Sequence, residues 1–154
     1  MLYDGFPYRN AWVEVDIDAI AHNMVETRRL MGPGNDFAPV IKCNGYGLGQ
    51  RMLAKTVVKN GAERLITATL GEAVDLRLAG LTGPLLVFAF LPPESAALVI
   101  KYQITQTIYD EDIARHLSAE AELLGKRVSV HIKLETGLGR VGFMPNQEGL
   151  DAIR

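Results

Sequence analysis

The sequence contains a single cysteine and no excess of charge of either sign. Cys43 is the only cysteine among 154 residues, so the chain cannot form an internal disulfide, which fits a reducing compartment. The 16 lysines and arginines are balanced by 18 aspartates and glutamates, and such a balance generates no basic field for nucleic acid or an anionic membrane. We therefore expect a cytoplasmic protein that acts on a small molecule.

Long apolar runs and a secretion signal are also missing. The most apolar run, residues 85–91, is much shorter than the ~20 residues of a membrane span and stops at Pro92. Residues 1–10 lack the basic segment and the apolar core of a signal peptide. We expect these ten residues to form an N-terminal arm, and we expect no export and no membrane partner.

Short apolar runs instead recur along the chain with helical patterns between them. The runs that we predict as strands are 12–17, 37–41, 65–68, 85–90, 104–108 and 128–134. Helical stripes are formed by Ile20, Met24, Thr27 and Met31, and by Ile113, Leu117, Ala121 and Leu124. Because parallel strands need a crossover between them, this alternation predicts a parallel α/β sheet.

Capping signals agree with this order. Thr69 and Glu72 have the spacing of a capping box, and Asp110 can cap the helix that follows it. Gly61 and Gly80 lie where two helices should end. The predicted helices therefore have recognisable starts and stops.

The last predicted strand alternates apolar and polar residues. Its polar side carries Ser129, His131, Lys133 and Glu135. In a (β/α)8 barrel this side would face the interior, with Lys133 and Glu135 near the carboxyl rim where active sites gather. Since such barrels run to about 250 residues, we predict that residues 11–154 form an incomplete N-terminal portion of a TIM-type barrel, with about five to six βα units.

Residues 137–142, Gly-Leu-Gly-Arg-Val-Gly, formally match the dinucleotide-binding fingerprint. That fingerprint should open a long helix and be followed by an acidic residue about 20 positions later. Here Pro145 interrupts any such helix, and the sequence stops at residue 154. We interpret the segment as a glycine-rich turn.

Lys42 follows an apolar run and precedes the glycine-rich segment Gly45-Tyr46-Gly47-Leu48-Gly49. A lysine that leaves a buried strand loses part of its hydration, which favours the neutral amine that a Schiff base needs. Glycines let backbone amides approach an anion, and a helix beginning after them would direct its positive end at a phosphate. We interpret this combination as a site for pyridoxal 5'-phosphate; the alternative is an ordinary strand-end lysine that reaches solvent.

The remaining ionisable candidates are interpreted as structural. His22, His116 and His131 lie on different predicted elements and lack metal-ligand spacing. Asp16 and Asp18 are expected to end a strand and cap a helix. We predict no metal site.

Two segments together resemble motifs of a known family. Residues 42–49, KCNGYGLG, resemble the pyridoxal-phosphate lysine motif of alanine racemases, and residues 133–143, KLETGLGRVGF, resemble their second motif. Their order and separation agree with the family. Residues 11–20 and the Glu72 to Arg77 segment are also similar. The chain thus resembles, over nearly its whole length, the N-terminal barrel of the alanine racemase family.

The resemblance implies a role for each matching residue. Lys42 would hold the cofactor as a Schiff base and act as the base on one face of the substrate α-carbon. Tyr46 would donate a hydrogen bond to the cofactor phosphate. Arg140 would reach the phenolic oxygen of the cofactor and the substrate carboxylate; its alternative is a surface ion pair. Lys133 matches a lysine that some members carry as a carbamate, although a simple pair with Glu135 is an equal alternative.

The resemblance also implies a function. It implies racemisation of L- and D-alanine by two-base proton transfer, which supplies D-alanine for peptidoglycan. The second base would be a tyrosine from the C-terminal β domain of a second subunit in a homodimer. That domain and the rest of the barrel are absent from the sequence, so we expect the chain alone to be inactive or nearly so.

Three other functions remain open at this point. The first is another amino-acid racemase on the same barrel, such as a serine racemase. The second is a non-catalytic, pyridoxal-phosphate-binding regulatory barrel. The third is a truncated chain whose exposed sheet edge pairs with another polypeptide.

Overall fold

Residues 11–154 are described by a computed structural model, in which helices and parallel strands alternate. Residues 1–10, where the N-terminal arm is predicted, lie outside the described residues. The strands are β1 (Leu65–Thr67), β2 (Leu85–Val87), β3 (Thr105–Ile108) and β4 (Val130–Ile132). The helical elements are α1 (Ile17–Met31), α2 (Lys42–Tyr46), α3 (Gln50–Lys59), α4 (Leu70–Leu78), α5 (Ala96–Lys101), α6 (Glu111–Leu123) and α7 (Gln147–Ile153), with a 3-10 turn at Pro93–Ser95 before α5.

The four strands form one parallel sheet in the order β1-β2-β3-β4. Each strand pairs with the next one along the chain, which is the order of the N-terminal portion of a (β/α) barrel. The predicted parallel α/β sheet is therefore confirmed. Among residues 11–154, no helix combines the length and the apolar character that crossing a bilayer requires.

The two faces of the sheet have different surroundings. Leu65, Leu85, Val87 and Ile108 lie on one face and belong to the main apolar core, which the helices cover. The register places Ile66, Leu86, Thr107 and His131 on the other face. We call this second face the inner face, because it corresponds to the interior of a barrel.

The predicted strand 12–17 is wrong. Residues 11–16 have no regular structure, α1 begins at Ile17, and Trp12 and Val13 are exposed. A strand needs a neighbour for its ladder, and no described strand pairs with this segment. The expected helix cap is confirmed for Asp16, whose carboxylate accepts a hydrogen bond of 2.9 Å from the Ala19 amide at the start of α1, whereas Asp18 lies within the first turn of that helix.

The predicted strand 37–41 is reduced to a single parallel bridge between Val40 and Ile66. Pro39 has no amide hydrogen, but its carbonyl accepts from the Ile66 amide at 3.1 Å, and the Ile41 amide donates to the Ile66 carbonyl at 2.8 Å. The segment thus extends the sheet beyond β1 as an edge. An edge is the position where a proline, which cannot donate a ladder hydrogen bond, is tolerated.

The predicted helix boundaries are confirmed at two amino-terminal caps and at two carboxyl-terminal glycines. Thr69 and Glu72 form a complete capping box at the start of α4, and Asp110 caps α6 through the Ile113 amide. Gly61 and Gly80 follow α3 and α4 with φ of 95° and 86°. Local capping chemistry therefore sets where these helices begin and end.

Arg77 fastens α4 to the segment before β3. Its guanidinium donates to the carbonyls of Tyr102, Leu81 and Gln103 at 2.9–3.0 Å. Partial burial lowers the pKa of Arg77 from its ordinary value, although the group remains charged. One side chain thus satisfies three backbone acceptors, so its removal leaves them without partners.

Arg77→Met should lower the free energy of unfolding by about 2 kcal/mol, because hydrogen bonds from a charged donor are lost while much of the side-chain volume is kept. Urea denaturation measures the change. Arg115→Met is the matched control, since Arg115 is exposed and pairs with Glu111 one helical turn away; its effect should be much smaller, because exposed ion pairs contribute little to stability. Equal effects of the two variants would show that the hydrogen bonds of Arg77 stabilise the fold no more than a surface ion pair does.

Candidate functional site

Lys42 lies where the chain leaves the sheet, at the carboxyl end of the strands. Val40 pairs with Ile66, whose side chain lies on the inner face, and Lys42 follows two residues later. Lys42 is partly buried, and its Nζ lies 6.0 Å from the centroid of the Tyr46 ring, which is itself 61% exposed. The amine and the phenol predicted to bind the cofactor and its phosphate are therefore neighbours.

The backbone after Lys42 forms a left-handed turn. Cys43, Asn44, Gly45 and Tyr46 all have φ between 54° and 64°, and Gly47 follows at 90°. Asn and Gly adopt this conformation readily, whereas for Cys43 and Tyr46 it costs about 1–2 kcal/mol per residue. Such strain persists only where the surrounding structure imposes it.

Hydrogen bonds and packing hold the left-handed turn. The Gly45 amide donates to the Ile41 carbonyl at 3.1 Å, and the Gly47 amide donates to the Cys43 carbonyl at 3.2 Å. The Asn44 side chain accepts from the Gln50 amide at 2.9 Å and so joins the turn to the start of α3. A helix thus begins directly after the glycine-rich segment, as the sequence predicts.

Gly45 is buried against α3. A Cβ atom at this position would lie 2.9 Å from Leu53 Cδ2 and 3.4 Å from the Gln50 backbone. Gly47 and Gly49 differ, because a Cβ atom there would meet nothing within 4 Å. The turn is therefore packed on one side and open on the other, where a ligand could approach its backbone closely.

Glu72 connects this turn to α4. Its Oε1 accepts a hydrogen bond of 2.6 Å from the Cys43 amide, while its Oε2 accepts from the Ala68 and Thr69 amides at 2.9 and 3.1 Å. The sequence predicts only the capping-box part of this arrangement. The contact with Cys43 depends on tertiary structure that the spacing of Thr69 and Glu72 does not contain.

The second glycine-rich segment is organised by Glu135. Its carboxylate accepts hydrogen bonds from the amides of Gly137, Gly139 and Arg140 at 2.7, 2.9 and 3.0 Å. These backbone amides, with a smaller contribution from the charge of Lys133, lower the pKa of Glu135 to about 2. The predicted glycine-rich turn is confirmed, and no long helix opens at residues 137–142.

The loop between Glu135 and Phe143 closes on itself. The Glu135 amide donates to the Phe143 carbonyl and the Phe143 amide donates to the Lys133 carbonyl, both at 2.9 Å. Gly142 lies so close that a Cβ atom there would be 2.6 Å from the Glu135 nitrogen. The loop is therefore a fixed attachment for Arg140, whose exposed side chain forms no ion pair with a carboxylate of residues 11–154.

Lys42 and Arg140 lie at the same carboxyl end of the sheet but at opposite edges. The Lys42 segment pairs with β1, whereas Lys133 and Arg140 follow β4. Lys42 and Tyr46 are direct neighbours, whereas Lys133 and Arg140 reach the carboxyl end of the sheet from the last strand, β4. Within residues 11–154 no hydrogen bond joins the two loops.

The three histidines lie on three different elements, with His22 on α1, His116 on α6 and His131 on β4. His116 Nδ1 is 2.7 Å from the Asp112 carbonyl within α6, and His131 lies on β4. Across the described part of the chain, no group of three His, Cys, Asp or Glu side chains could hold a metal ion. The histidines keep their structural interpretation.

Comparison with known proteins identifies the family. The family model "Alanine racemase, N-terminal domain" matches residues 15–154. This chain belongs to the alanine racemase N-terminal domain family. An alanine racemase of Clostridium perfringens is 44% identical over 145 residues, covering 94% of this chain and 37% of the relative, and one of Desulfovibrio desulfuricans is 45% identical over 139 residues, covering 90% and 38%.

Solved structures agree with this family. The alanine racemase from Bacillus anthracis with bound L-Ala-P has a TM-score of 0.87 and 30% identity, covering 94% of this chain and 37% of that one. The alanine racemase of Clostridium difficile 630 in complex with cycloserine has a TM-score of 0.81 and 32% identity, covering 88% and 36%. The chain thus spans a little over a third of the length of these relatives.

The described residues fit pyridoxal phosphate. Lys42 provides an amine without a carboxylate partner among residues 11–154, beside a phenol donor, on a turn whose backbone is open at Gly47 and Gly49. Gly137 and Gly139 leave similar space on the second loop. An aldehyde requires an amine for a Schiff base, and a phosphate accepts a hydrogen bond from a neutral donor such as a phenol.

Gly45→Ala should lower the free energy of unfolding by about 2–4 kcal/mol, because an alanine at positive φ is strained and its methyl group overpacks Leu53. Gly47→Ala is the matched control: it carries the backbone strain without the clash, so it should cost about 1 kcal/mol. Urea denaturation measures both. A smaller loss for Gly45→Ala than for Gly47→Ala would show that α3 does not pack on the turn.

Glu135→Gln should destabilise the chain at pH 7, and the difference from the native chain should shrink as the pH falls from about 4.5 to about 2. The unfolded chain takes up the proton first, so the stabilisation of a carboxylate with a lowered pKa is lost with acidification. Urea denaturation at several pH values measures the difference. A difference that stays constant across this range would contradict the role of the ionised carboxylate.

Proposed function

We propose that the protein to which these residues belong interconverts L- and D-alanine with pyridoxal 5'-phosphate, and that this chain provides the lysine that holds the cofactor. The observation that carries the proposal is the placement of Lys42 beside Tyr46 on a strained turn at the carboxyl edge of the sheet. Functional groups of (β/α) barrels gather at this edge. Family membership and relatives named alanine racemase support alanine as the substrate.

Lys42 would act on the proton of one substrate face. When bound, pyridoxal phosphate supplies an electron sink that acidifies the α-hydrogen of an amino acid. Once the amino group of the substrate has displaced it from the cofactor, the freed Lys42 amine would remove the α-proton on one face of the substrate, and in the reverse direction it would deliver a proton to that same face. Tyr46, whose ring centroid lies 6.0 Å from Lys42 Nζ, would donate a hydrogen bond to the cofactor phosphate.

Arg140 and Lys133 would act from the other edge of the sheet. Closure of a barrel brings opposite edges of its sheet toward a common interior, so we propose that Arg140 reaches the cofactor phenolic oxygen and the substrate carboxylate across that interior. A planar guanidinium suits both anionic groups. We propose that Lys133 steadies Arg140, as a carbamate or as the free amine.

Racemisation needs a second proton donor on the opposite face of the substrate. We propose that a tyrosine from another subunit of a homodimer provides it, and that the 154-residue chain alone racemises alanine little or not at all. We further propose that the whole protein is cytoplasmic and supplies D-alanine for peptidoglycan.

Addition of pyridoxal phosphate to the chain should produce a visible absorption band that borohydride bleaches, and peptide mapping should place the reduced label on Lys42. Lys42→Ala should abolish the band, because no other amine occupies this turn. Lys101→Ala is the matched control: Lys101 Nζ also lies over a tyrosine ring, 5.3 Å from the Tyr102 centroid, but at the end of α5. A label on another lysine, or a band retained in Lys42→Ala, would contradict the proposal.

A further inference from the structure

Glu72 joins two elements that the chain separates by many residues. We infer that Glu72 is a positioning residue for Lys42: its carboxylate fixes the peptide group that follows the lysine and thereby sets the direction of the lysine side chain. The inference rests on the proposed role of Lys42. It does not require Glu72 to touch the substrate or the cofactor.

The two carboxylate oxygens of Glu72 have different partners. Oε2 accepts from the Ala68 and Thr69 amides, which completes the capping box of α4. Oε1 is left over from that task and accepts from the Cys43 amide at 2.6 Å, across 29 positions of the sequence. Capping of α4 explains the contacts of Oε2 only, so the contact between Oε1 and the Cys43 amide requires its own explanation.

The Cys43 amide is the point where this contact matters most. Cys43 is the first residue with positive φ, at 54°, and it is exposed. Its side chain therefore provides little packing to hold the strained conformation. Its amide belongs to the peptide plane that begins at Lys42, and fixing this plane fixes the backbone at the lysine.

Gln50 strengthens the same connection from α3. Gln50 is 6% exposed; its side-chain amide donates to the Glu72 carbonyl at 3.4 Å, while its backbone amide donates to the Asn44 side chain at 2.9 Å. The starts of α3 and α4 therefore both bind the left-handed turn. Glu72 is the member of this set that reaches the peptide next to Lys42.

Thr69 provides a matched control. Its hydroxyl accepts from the Glu72 amide at 3.3 Å and is the other half of the capping box, but within residues 11–154 no hydrogen bond joins it to Cys43. Thr69→Ala should weaken the start of α4 while leaving the link to Cys43 intact. Glu72→Ala removes the carboxylate bonds to the start of α4 and the bond to Cys43. Glu72→Gln keeps the side-chain volume but has one acceptor oxygen, where the carboxylate uses one oxygen for the cap and the other for Cys43.

Hydrogen exchange at the Cys43 amide, measured by NMR on the chain without cofactor, tests the link directly. Exchange should accelerate about tenfold or more in Glu72→Ala and Glu72→Gln, because the carboxylate that accepts from this amide is lost. The nuclear Overhauser contacts between the side chains of Lys42 and Tyr46 should weaken in the same variants. Thr69→Ala should keep both signals; equal changes in Thr69→Ala would reduce Glu72 to a helix cap and overturn the inference.

Titration with pyridoxal phosphate tests the consequence for the lysine. The apparent affinity, read from the visible band, should fall at least about fivefold in Glu72→Gln and less than twofold in Thr69→Ala, a difference of the size that one misplaced hydrogen bond gives. Urea denaturation of Glu72→Gln and Thr69→Ala shows whether the two variants have the same free energy of unfolding. With equal stabilities, a difference in apparent affinity reports the position of Lys42 and not the folding of the chain. Equal affinities in the two variants would overturn the inference.

The two measurements separate this inference from the proposed function. If the native chain forms no adduct at Lys42 while the exchange and Overhauser results hold, the proposed cofactor role fails and the positioning of Lys42 by Glu72 stands. If the adduct forms at Lys42 but Glu72 variants behave like Thr69→Ala, the function stands and the positioning role is wrong.

Discussion

The strained backbone after Lys42 is the constraint on which the candidate site depends. Four consecutive residues, 43–46, have positive φ, and two of them are neither glycine nor asparagine. The cost of about 2–4 kcal/mol for those two residues is offset by burial of Gly45 against α3 and by amide hydrogen bonds from the turn to Ile41 and Glu72. Without these contacts a right-handed path would be preferred, and the chain after Lys42 would leave the sheet in another direction.

Carboxylates in this chain act mainly on backbone amides near the predicted site. Glu72 and Glu135 each accept three backbone amide hydrogen bonds. From the sequence, Glu135 is a possible ion-pair partner of Arg140 or Lys133. Sequence spacing does not reveal whether its carboxylate faces the guanidinium of Arg140 or the backbone amide of that residue. The sequence does predict the glycine-rich turn at residues 137–142, since Gly137 and Gly139 suit tight backbone conformations.

The fold could be predicted where local chemistry decides it. Caps at Thr69 and Asp110 and the helical stripes gave the helices, and continuous apolar runs gave the central strands β1 and β2. Residues 12–17 failed because β-rich composition favours extended backbone without providing a neighbour to pair with. Lys42 and Tyr46 could be placed together from the motif, but the left-handed turn depends on packing by α3 and α4 that no spacing reveals.

The central claim is that the backbone of residues 43–46 is left-handed in solution and so directs Lys42 from the carboxyl edge of the sheet. The most direct measurement is the sign of φ at these residues, from NMR scalar couplings together with intraresidue amide-to-Hα Overhauser intensities in the chain. Positive φ is expected at Cys43, Asn44 and Tyr46. Negative φ at Cys43 and Tyr46, with ordinary right-handed helical couplings, would contradict it.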